Sequence, residues 1–170
     1  RGISLLISGT SGSGKTGLAS FLSQRLKAIY PKMPLIIRFC GTSTDSSNGF
    51  SLVRSICLQI NFLFCGGNWK LEEVNAIKKY SNLVKYFHAL LKEYPLVLVI
   101  DSLDSLCNYY KEQSEISFLK GVLPHKDSKI IVTSLPYDDK YKYLCCKKLD
   151  ASDVPRVDVD SSFSSDSSTI

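Results

Sequence analysis

The sequence predicts an α/β protein whose mostly parallel sheet of four to five strands is covered by helices on both faces. Short apolar runs alternate along the chain with segments whose apolar residues recur every three or four positions. Successive residues of these runs are apolar, which is typical of parallel strands buried on both faces. The 170 residues, 44% of them hydrophobic, are enough for one domain with its own core.

The first half of the chain predicts two strands, each followed by a helix. The strands are the apolar runs ISLLIS at residues 3–8 and LIIRFC at residues 35–40. We expect the first helix to end before Pro31, because proline cannot continue a helix. Its apolar positions lie at helical spacing: Leu18, Leu22, Leu26 and Ile29. The second helix is predicted from Leu52, Ile56 and Ile60.

The second half predicts one long amphipathic helix and one short one. Apolar residues step by three or four from Val74 to Leu91, and Pro95 closes this helix. The short helix is predicted over Ile116–Leu123, ahead of Pro124. Three more strands are predicted: LVLVI at 96–100, KIIVTS at 129–134 and YKYLCCKKL at 141–149.

Two regions of different composition are predicted. Residues 1–150 contain all the periodic segments and form the predicted core domain. Residues 151–170 contain seven serines and few large apolar groups, so we expect a disordered tail or linker. Because the chain opens with Arg1 rather than methionine, we expect it to be a fragment of a longer protein.

The octapeptide GTSGSGKT follows the first predicted strand and opens the first predicted helix. It matches G-x-x-x-x-G-K-[ST], in which glycines let successive backbone N–H groups point at phosphate oxygens. The following helix directs its N-terminal dipole at the same anion. The sequence therefore predicts a P-loop NTPase three-layer sandwich. Its predicted nucleotide-binding residues are Gly9, Thr10, Ser11, Gly12, Ser13, Gly14, Lys15 and Thr16.

Asp101 directly follows the apolar run at 96–100. Ligands of parallel α/β sheets bind at the carboxyl ends of the strands, so Asp101 and Thr16 are the predicted Mg²⁺ ligands. Ser102 stands where many ATP-hydrolysing enzymes have a glutamate, and its hydroxyl cannot take a proton from water at neutral pH. The carboxylate of Asp104 can take a proton from water. Whether nucleotide is hydrolysed or only held therefore depends on Asp104.

Three segments together resemble the NACHT domain of the NACHT-and-WD-repeat proteins, which belong to the STAND class of P-loop NTPases. They are GTSGSGKT, RFCGTSTDSSNGFSLVRSICLQI and VLVIDSLDSL, within about residues 3–135. The small residue after Asp101, with a second acid three positions on, is the most particular feature. The resemblance implies ATP and Mg²⁺ as cofactors and ATP-driven switching of a signalling or scaffold protein. It also implies partner domains in the same chain, such as WD repeats, and homo-oligomerisation.

The resemblance also implies roles for single residues. Asp104 would be the catalytic acid that polarises the attacking water. Thr133 and Ser134, in the fourth predicted strand, fall where such proteins sense the γ-phosphate. Many STAND proteins carry an arginine shortly after that strand, whereas this sequence reads TSLP with Leu135, so we expect slow hydrolysis.

Three functions stay open at this point. The first is a Mg-ATP-binding, slowly hydrolysing regulatory switch, and the second is a nucleotide-stabilised scaffold without turnover. The third is a small-molecule kinase, which is less well supported because the five arginines form no cluster to hold two phosphoryl groups. The choice between ATP and GTP is also open.

The composition excludes some other classes of protein. The longest aliphatic run is far shorter than a membrane span. The six cysteines form no C-x-x-C pair, which favours reduced thiols and a cytoplasmic location over a disulfide framework. The run KYKYLCCKK interleaves lysine with tyrosine, as single-stranded nucleic-acid binders do. A lysine-guarded edge strand explains it more simply, so we expect no nucleic-acid partner.

Overall fold

The computed structural model describes residues 2–106, 115–136, 149 and 154–163. Within these residues, five strands form one sheet: β1 (Leu5–Ser8), β2 (Leu35–Phe39), β3 (Val97–Asp101), β4 (Lys129–Ser134) and β5 (Arg156–Asp158). Every pair of neighbours is parallel, and the order across the sheet is β2-β3-β4-β1-β5. The predicted α/β class and parallel sheet are confirmed.

Five α-helices are described: α1 (Lys15–Ile29), α2 (Gly49–Phe64), α3 (Leu71–Ala76), α4 (Tyr80–Glu93) and the short α5 (Val159–Phe163). Short 3₁₀ helices span Asp45–Ser47, Leu103–Leu106 and Glu115–Leu119. The α2 helix is capped by Asn48, whose side chain accepts a hydrogen bond from the Ser51 N–H at 3.1 Å. In the parts of the chain that the structure describes, no helix is both long and apolar enough to span a bilayer.

The two faces of the sheet pack against different helices. Residues of β3 alternate between them, because side chains of a strand point to opposite faces. Leu98 and Ile100 belong to the larger apolar cluster, which includes α2 and α4, whereas Val97 and Val99 pack towards α1. The sheet is therefore the middle of three layers.

The strand order determines which side chains meet at the carboxyl edge of the sheet. The glycine-rich loop follows β1, and Asp101 ends β3. The strand β4 lies between them, since it pairs with β1 on one side and β3 on the other. The last residues of β4, Thr133 and Ser134, therefore lie between the loop and Asp101.

The structure differs from the helix predictions in the second half of the chain. The long amphipathic segment is two helices, because Ile77 is extended and separates α3 from α4. This break lets Val74 and Ile77 both contact the larger apolar cluster. The helix predicted over 116–123 is instead a 3₁₀ turn over Glu115–Leu119, which buries Phe118.

The C-terminal prediction also differs from the structure. Residues 154–163, predicted as part of a disordered tail, contain β5 and α5. Arg156–Asp158 pair with Leu6–Ser8 of β1, and Val159 is 5% exposed. Backbone hydrogen bonds and one buried valine are enough to order a segment whose composition is otherwise polar. The strand predicted at 141–149 lies outside the described residues, apart from Leu149.

Candidate nucleotide-binding site

The loop between β1 and α1 bends through two glycines in the left-handed region. Gly12 has a φ of 80° and Gly14 a φ of 94°, values at which other residues would be strained. Gly9 is needed for a different reason. A Cβ atom there would lie 2.5 Å from Ser13 Oγ and 3.3 Å from Val159 Cβ. The loop therefore favours glycine at both fixed glycine positions of the motif, 9 and 14, and also at position 12.

The first turn of α1 is suited to an anion. No side chain caps the helix at Gly14, and its first turn contains no acidic residue. The N–H groups and the positive end of the helix dipole are therefore not opposed by a carboxylate of the first turn. Lys15 extends back over the loop, where its Nζ donates to the carbonyl oxygens of Gly9 at 2.8 Å and Thr10 at 2.6 Å. The loop thereby holds its one cation in place.

Asp101 and Thr16, the two residues predicted as metal ligands, are hydrogen-bonded to each other. Asp101 is 4% exposed, and its Oδ2 accepts a hydrogen bond from Thr16 Oγ1 at 2.8 Å. Its Oδ1 accepts one from Thr133 Oγ1 at 2.6 Å, and Thr133 Oγ1 in turn accepts from the Ser102 N–H at 2.8 Å. A carboxylate beside a hydroxyl is an oxygen donor set that fits Mg²⁺.

No three His, Cys, Asp or Glu side chains gather into a ready-made metal site anywhere in the described structure. Magnesium usually keeps several waters and takes one or two carboxylates plus phosphate oxygens. Asp101 and Thr16 fit that pattern, and a bound nucleotide would have to supply further ligands.

Asp104 reaches the same corner through a tight turn. Ser102 adopts a left-handed φ of 58°, and the Ser105 N–H donates to the Ser102 carbonyl at 2.9 Å. This turn leads directly into the 3₁₀ helix at Leu103–Leu106. Asp104 is partly buried, and its Oδ1 accepts a hydrogen bond from the Leu135 N–H at 2.9 Å. One carboxylate oxygen is therefore engaged in linking the ends of β3 and β4.

These side chains surround one cavity of about 380 Å³. Its lining residues are Ser11, Gly12, Gly14, Lys15, Thr16, Ser102, Asp104 and Leu135. Lys15 is the only cation among these described lining residues. The structure therefore brings the glycine-rich loop and Asp104 to one cavity.

Thr133 and Ser134 lie at the carboxyl end of β4 but do not line the cavity. Both are fully buried. The Thr133 hydroxyl is bonded to Asp101, and Ser134 Oγ donates to the Leu135 carbonyl at 3.1 Å. Their predicted role as γ-phosphate sensors stays a prediction, whereas their contacts in this structure are with the ends of β3 and β4.

Cys40 lies beside both acids. Burial, together with the charges of Asp101 and Asp104, raises the pKa of the Cys40 thiol to about 12. Its backbone N–H donates to the Asp101 carbonyl at 2.9 Å. Within the described residues Cys40, Cys57 and Cys65 are free thiols, in agreement with the prediction. Cys40 is thus a neutral apolar neighbour of the acids.

One contact of the loop could not be predicted from the sequence. Asp160, in the segment predicted as a tail, accepts hydrogen bonds from the Thr10 N–H at 2.7 Å and Thr10 Oγ1 at 3.0 Å. No local signal in the sequence predicts this pair, because the two residues are 150 positions apart. The only local indication of an ordered element there is that Val157 and Val159 alternate with aspartates.

The chain is similar in sequence to parts of larger proteins. Tetratricopeptide repeat protein 41 of Mus musculus is 25% identical over 150 residues, which cover 84% of this chain and 11% of that protein. NACHT domain- and WD repeat-containing protein 1 of Homo sapiens is 29% identical over 109 residues, or 60% of this chain and 7% of that protein. The chain therefore spans only a small part of the length of these relatives.

A solved structure titled "Structure of C. elegans PCH-2" is 17% identical, with a TM-score of 0.47 over 91% of this chain and 34% of that chain. This likeness is too remote to indicate a function. The strongest finding concerns the sequence: residues 2–134 match the family described as "Nephrocystin 3, N-terminal". Because that match extends from before β1 to the end of β4, the chain belongs to the Nephrocystin 3 N-terminal family.

Proposed function

We propose that this domain binds Mg-ATP and hydrolyses it slowly, as a regulatory switch within a multidomain signalling or scaffold protein. One observation carries the proposal: the Thr16 hydroxyl at the start of α1 meets the buried carboxylate of Asp101 beside a cavity lined by the glycine-rich loop. A phosphate loop and a metal-binding acid are needed together to hold a nucleotide with its cation.

The residues divide the work of binding between them. The N–H groups of the loop and Lys15 would bind the β- and γ-phosphates, and Asp101 with Thr16 would hold Mg²⁺. The ion would neutralise charge on the phosphate oxygens. Lysine has three N–H donors, two of which bond loop carbonyls, so one is left for a phosphate oxygen. Asp104 would orient or deprotonate the attacking water.

Slow turnover is supported by what surrounds the cavity. The resemblance to STAND proteins implies a cation shortly after β4, where this chain has Leu135, and Lys15 is the only cation among the described residues that line the cavity. Asp104 has one oxygen engaged by the Leu135 N–H. These features also suit the second candidate, a nucleotide-stabilised scaffold without turnover.

The positions of the arginines do not support the kinase alternative. None of the described ones lines the cavity. Their partners lie elsewhere: Arg25 stacks on Phe21, Arg38 bonds Ser55 and Gln59, Arg54 stacks on Phe50, and Arg156 bonds Ser8. A kinase would need such side chains free to hold a second phosphoryl group.

The switch role draws on the relatives. Their names include tetratricopeptide or WD repeats, and this chain spans 11% or less of their length. We infer that further domains of the same protein, such as repeats of these kinds, read out the nucleotide state in homo-oligomers. A NACHT-type assignment and a cytoplasmic location belong to the same proposal.

The test is nucleotide affinity in the intact protein. Lys15→Ala should weaken binding of a fluorescent ATP analogue by about ten- to a hundredfold, because a charge-assisted contact contributes roughly 1.5–3 kcal/mol. Lys85→Ala, an exposed lysine on α4, is the matched control and should bind as the unmodified protein does. Equal affinity in the Lys15 variant would remove the phosphate-loop assignment.

A further inference from the structure

The segment 154–163 lies against the glycine-rich loop. It contains β5, which pairs with β1, the strand that leads into the loop. The Leu6 N–H donates to the Pro155 carbonyl at 2.8 Å. Val159 is buried with Ile7 and Ala19 in the smaller apolar cluster, close to Gly9. The end of the described chain is thus packed against β1, which leads into the loop, and against the loop's first residue.

Asp160 makes the polar part of this contact. Its two carboxylate oxygens accept separately from the two donors of Thr10, the backbone N–H at 2.7 Å and the hydroxyl at 3.0 Å. The Asp160 N–H donates to Asp158 Oδ1 at 3.1 Å, which orients the turn that presents it. A carboxylate held by two donors of one residue fixes the orientation of that residue's peptide group.

The other side of Thr10 faces Lys15. The Thr10 carbonyl accepts from Lys15 Nζ at 2.6 Å, alongside the Gly9 carbonyl at 2.8 Å. A line of hydrogen bonds therefore runs from Asp160 through Thr10 to the ammonium group of Lys15. If Thr10 rotates, the lysine loses one of the two oxygens that hold it.

We propose that Asp160 is a positioning residue of the nucleotide site, which acts through Thr10 to hold Lys15 where its remaining N–H meets a phosphate. This inference rests on the proposed function. It has a thermodynamic consequence, because coupling between two sites is reciprocal. If the segment 154–163 orders the loop for nucleotide, bound nucleotide orders that segment.

The variants separate hydrogen-bond geometry from charge. Asp160→Ala removes both acceptors and should weaken binding of the ATP analogue by about three- to tenfold in the intact protein. Asp160→Asn should bind within about twofold of the unmodified protein. Its amide oxygen can accept from the Thr10 N–H and its amide N–H can donate to the Thr10 hydroxyl. Glu72→Ala, an exposed acid on α3, is the control for net charge.

A second measurement needs no variant. Hydrogen exchange of peptides that cover 154–163 should slow when the ATP analogue binds the unmodified protein, and this protection should be lost in Asp160→Ala. Melting temperatures of all variants show whether a loss of affinity is only a loss of folding.

Each result either supports or overturns the inference. Normal affinity in Asp160→Ala, equal losses in the alanine and asparagine variants, or unchanged exchange at 154–163 would each overturn the inference. Lys15→Ala in the same titration separates the two proposals. If that variant also binds normally, the proposed function itself is wrong. If it alone loses affinity, only the role of Asp160 is lost.

Discussion

Two carboxylates follow one another at the end of β3, and the structure holds them in opposite ways. Asp101 is almost fully buried, and both of its oxygens accept from threonine hydroxyls. Asp104 is partly exposed on the cavity wall and bonds the Leu135 N–H through one oxygen. A rigid, desolvated acid suits metal binding, whereas a more accessible one suits contact with water. The difference favours a site built first to hold nucleotide.

The largest expected effect is on turnover. Asp104→Asn should lower single-turnover ATP hydrolysis by about 10²–10⁴-fold, because an amide cannot act as a general base. Nucleotide affinity should stay nearly unchanged, since the asparagine oxygen can still accept from the Leu135 N–H. Hydrolysis at the unmodified rate would make Asp104 a structural residue and the site a nucleotide holder.

Asp101→Asn should act on binding as well as turnover. The amide oxygen can still accept from one threonine hydroxyl and the amide N–H can donate to the other, but the charge that attracts Mg²⁺ is lost. We expect Mg²⁺-dependent affinity for the ATP analogue to fall by about ten- to a hundredfold. Titrations with Mg²⁺ and with EDTA check this. Chelation of Mg²⁺ should weaken binding of the ATP analogue to the unmodified protein and leave its binding to the variant unchanged. An equal loss of affinity in both proteins would contradict the metal role of Asp101.

Thr133→Val tests why Asp101 is rigid. The valine leaves Asp101 Oδ1 and the Ser102 N–H each without the partner they have here, at a cost of about 2–4 kcal/mol in the free energy of unfolding. Urea denaturation measures this cost. Thr133→Ser keeps the hydroxyl and should lose less than about 1 kcal/mol. Similar losses in both variants would show that packing, not the hydroxyl, holds this corner.

The prediction with the smallest expected effect needs no substitution. Burial and the two acids raise the pKa of Cys40 to about 12, so about one thiol in ten thousand is ionised at pH 8. Iodoacetamide should modify the half-exposed Cys65 of the native protein much faster than Cys40, as followed by peptide mass spectrometry. In urea the two should react at similar rates. Fast native modification of Cys40 would mean that the corner holding both acids opens readily.

Local patterns were sufficient for the parts of the site that lie within single segments. The loop GTSGSGKT requires its glycines for reasons of backbone geometry, so its conformation could be inferred from residue types alone. Asp101 could be placed because an apolar run ending in an acid predicts a strand that delivers the acid to the carboxyl edge of a sheet. The break at Ile77 could not be inferred, because nothing in the local spacing distinguishes two helices from one.

The sequence by itself determined the α/β class, the phosphate loop and the two acids, because each is encoded by the chemistry of neighbouring residues. Only the tertiary structure decided that Thr133 bonds Asp101, that Leu135 bonds Asp104 and that Asp160 bonds Thr10. These partners are 32, 31 and 150 residues apart along the chain, respectively. The order of the strands brings them together, and hydrogen bonds between residues so distant leave no periodic or local signal in a single sequence.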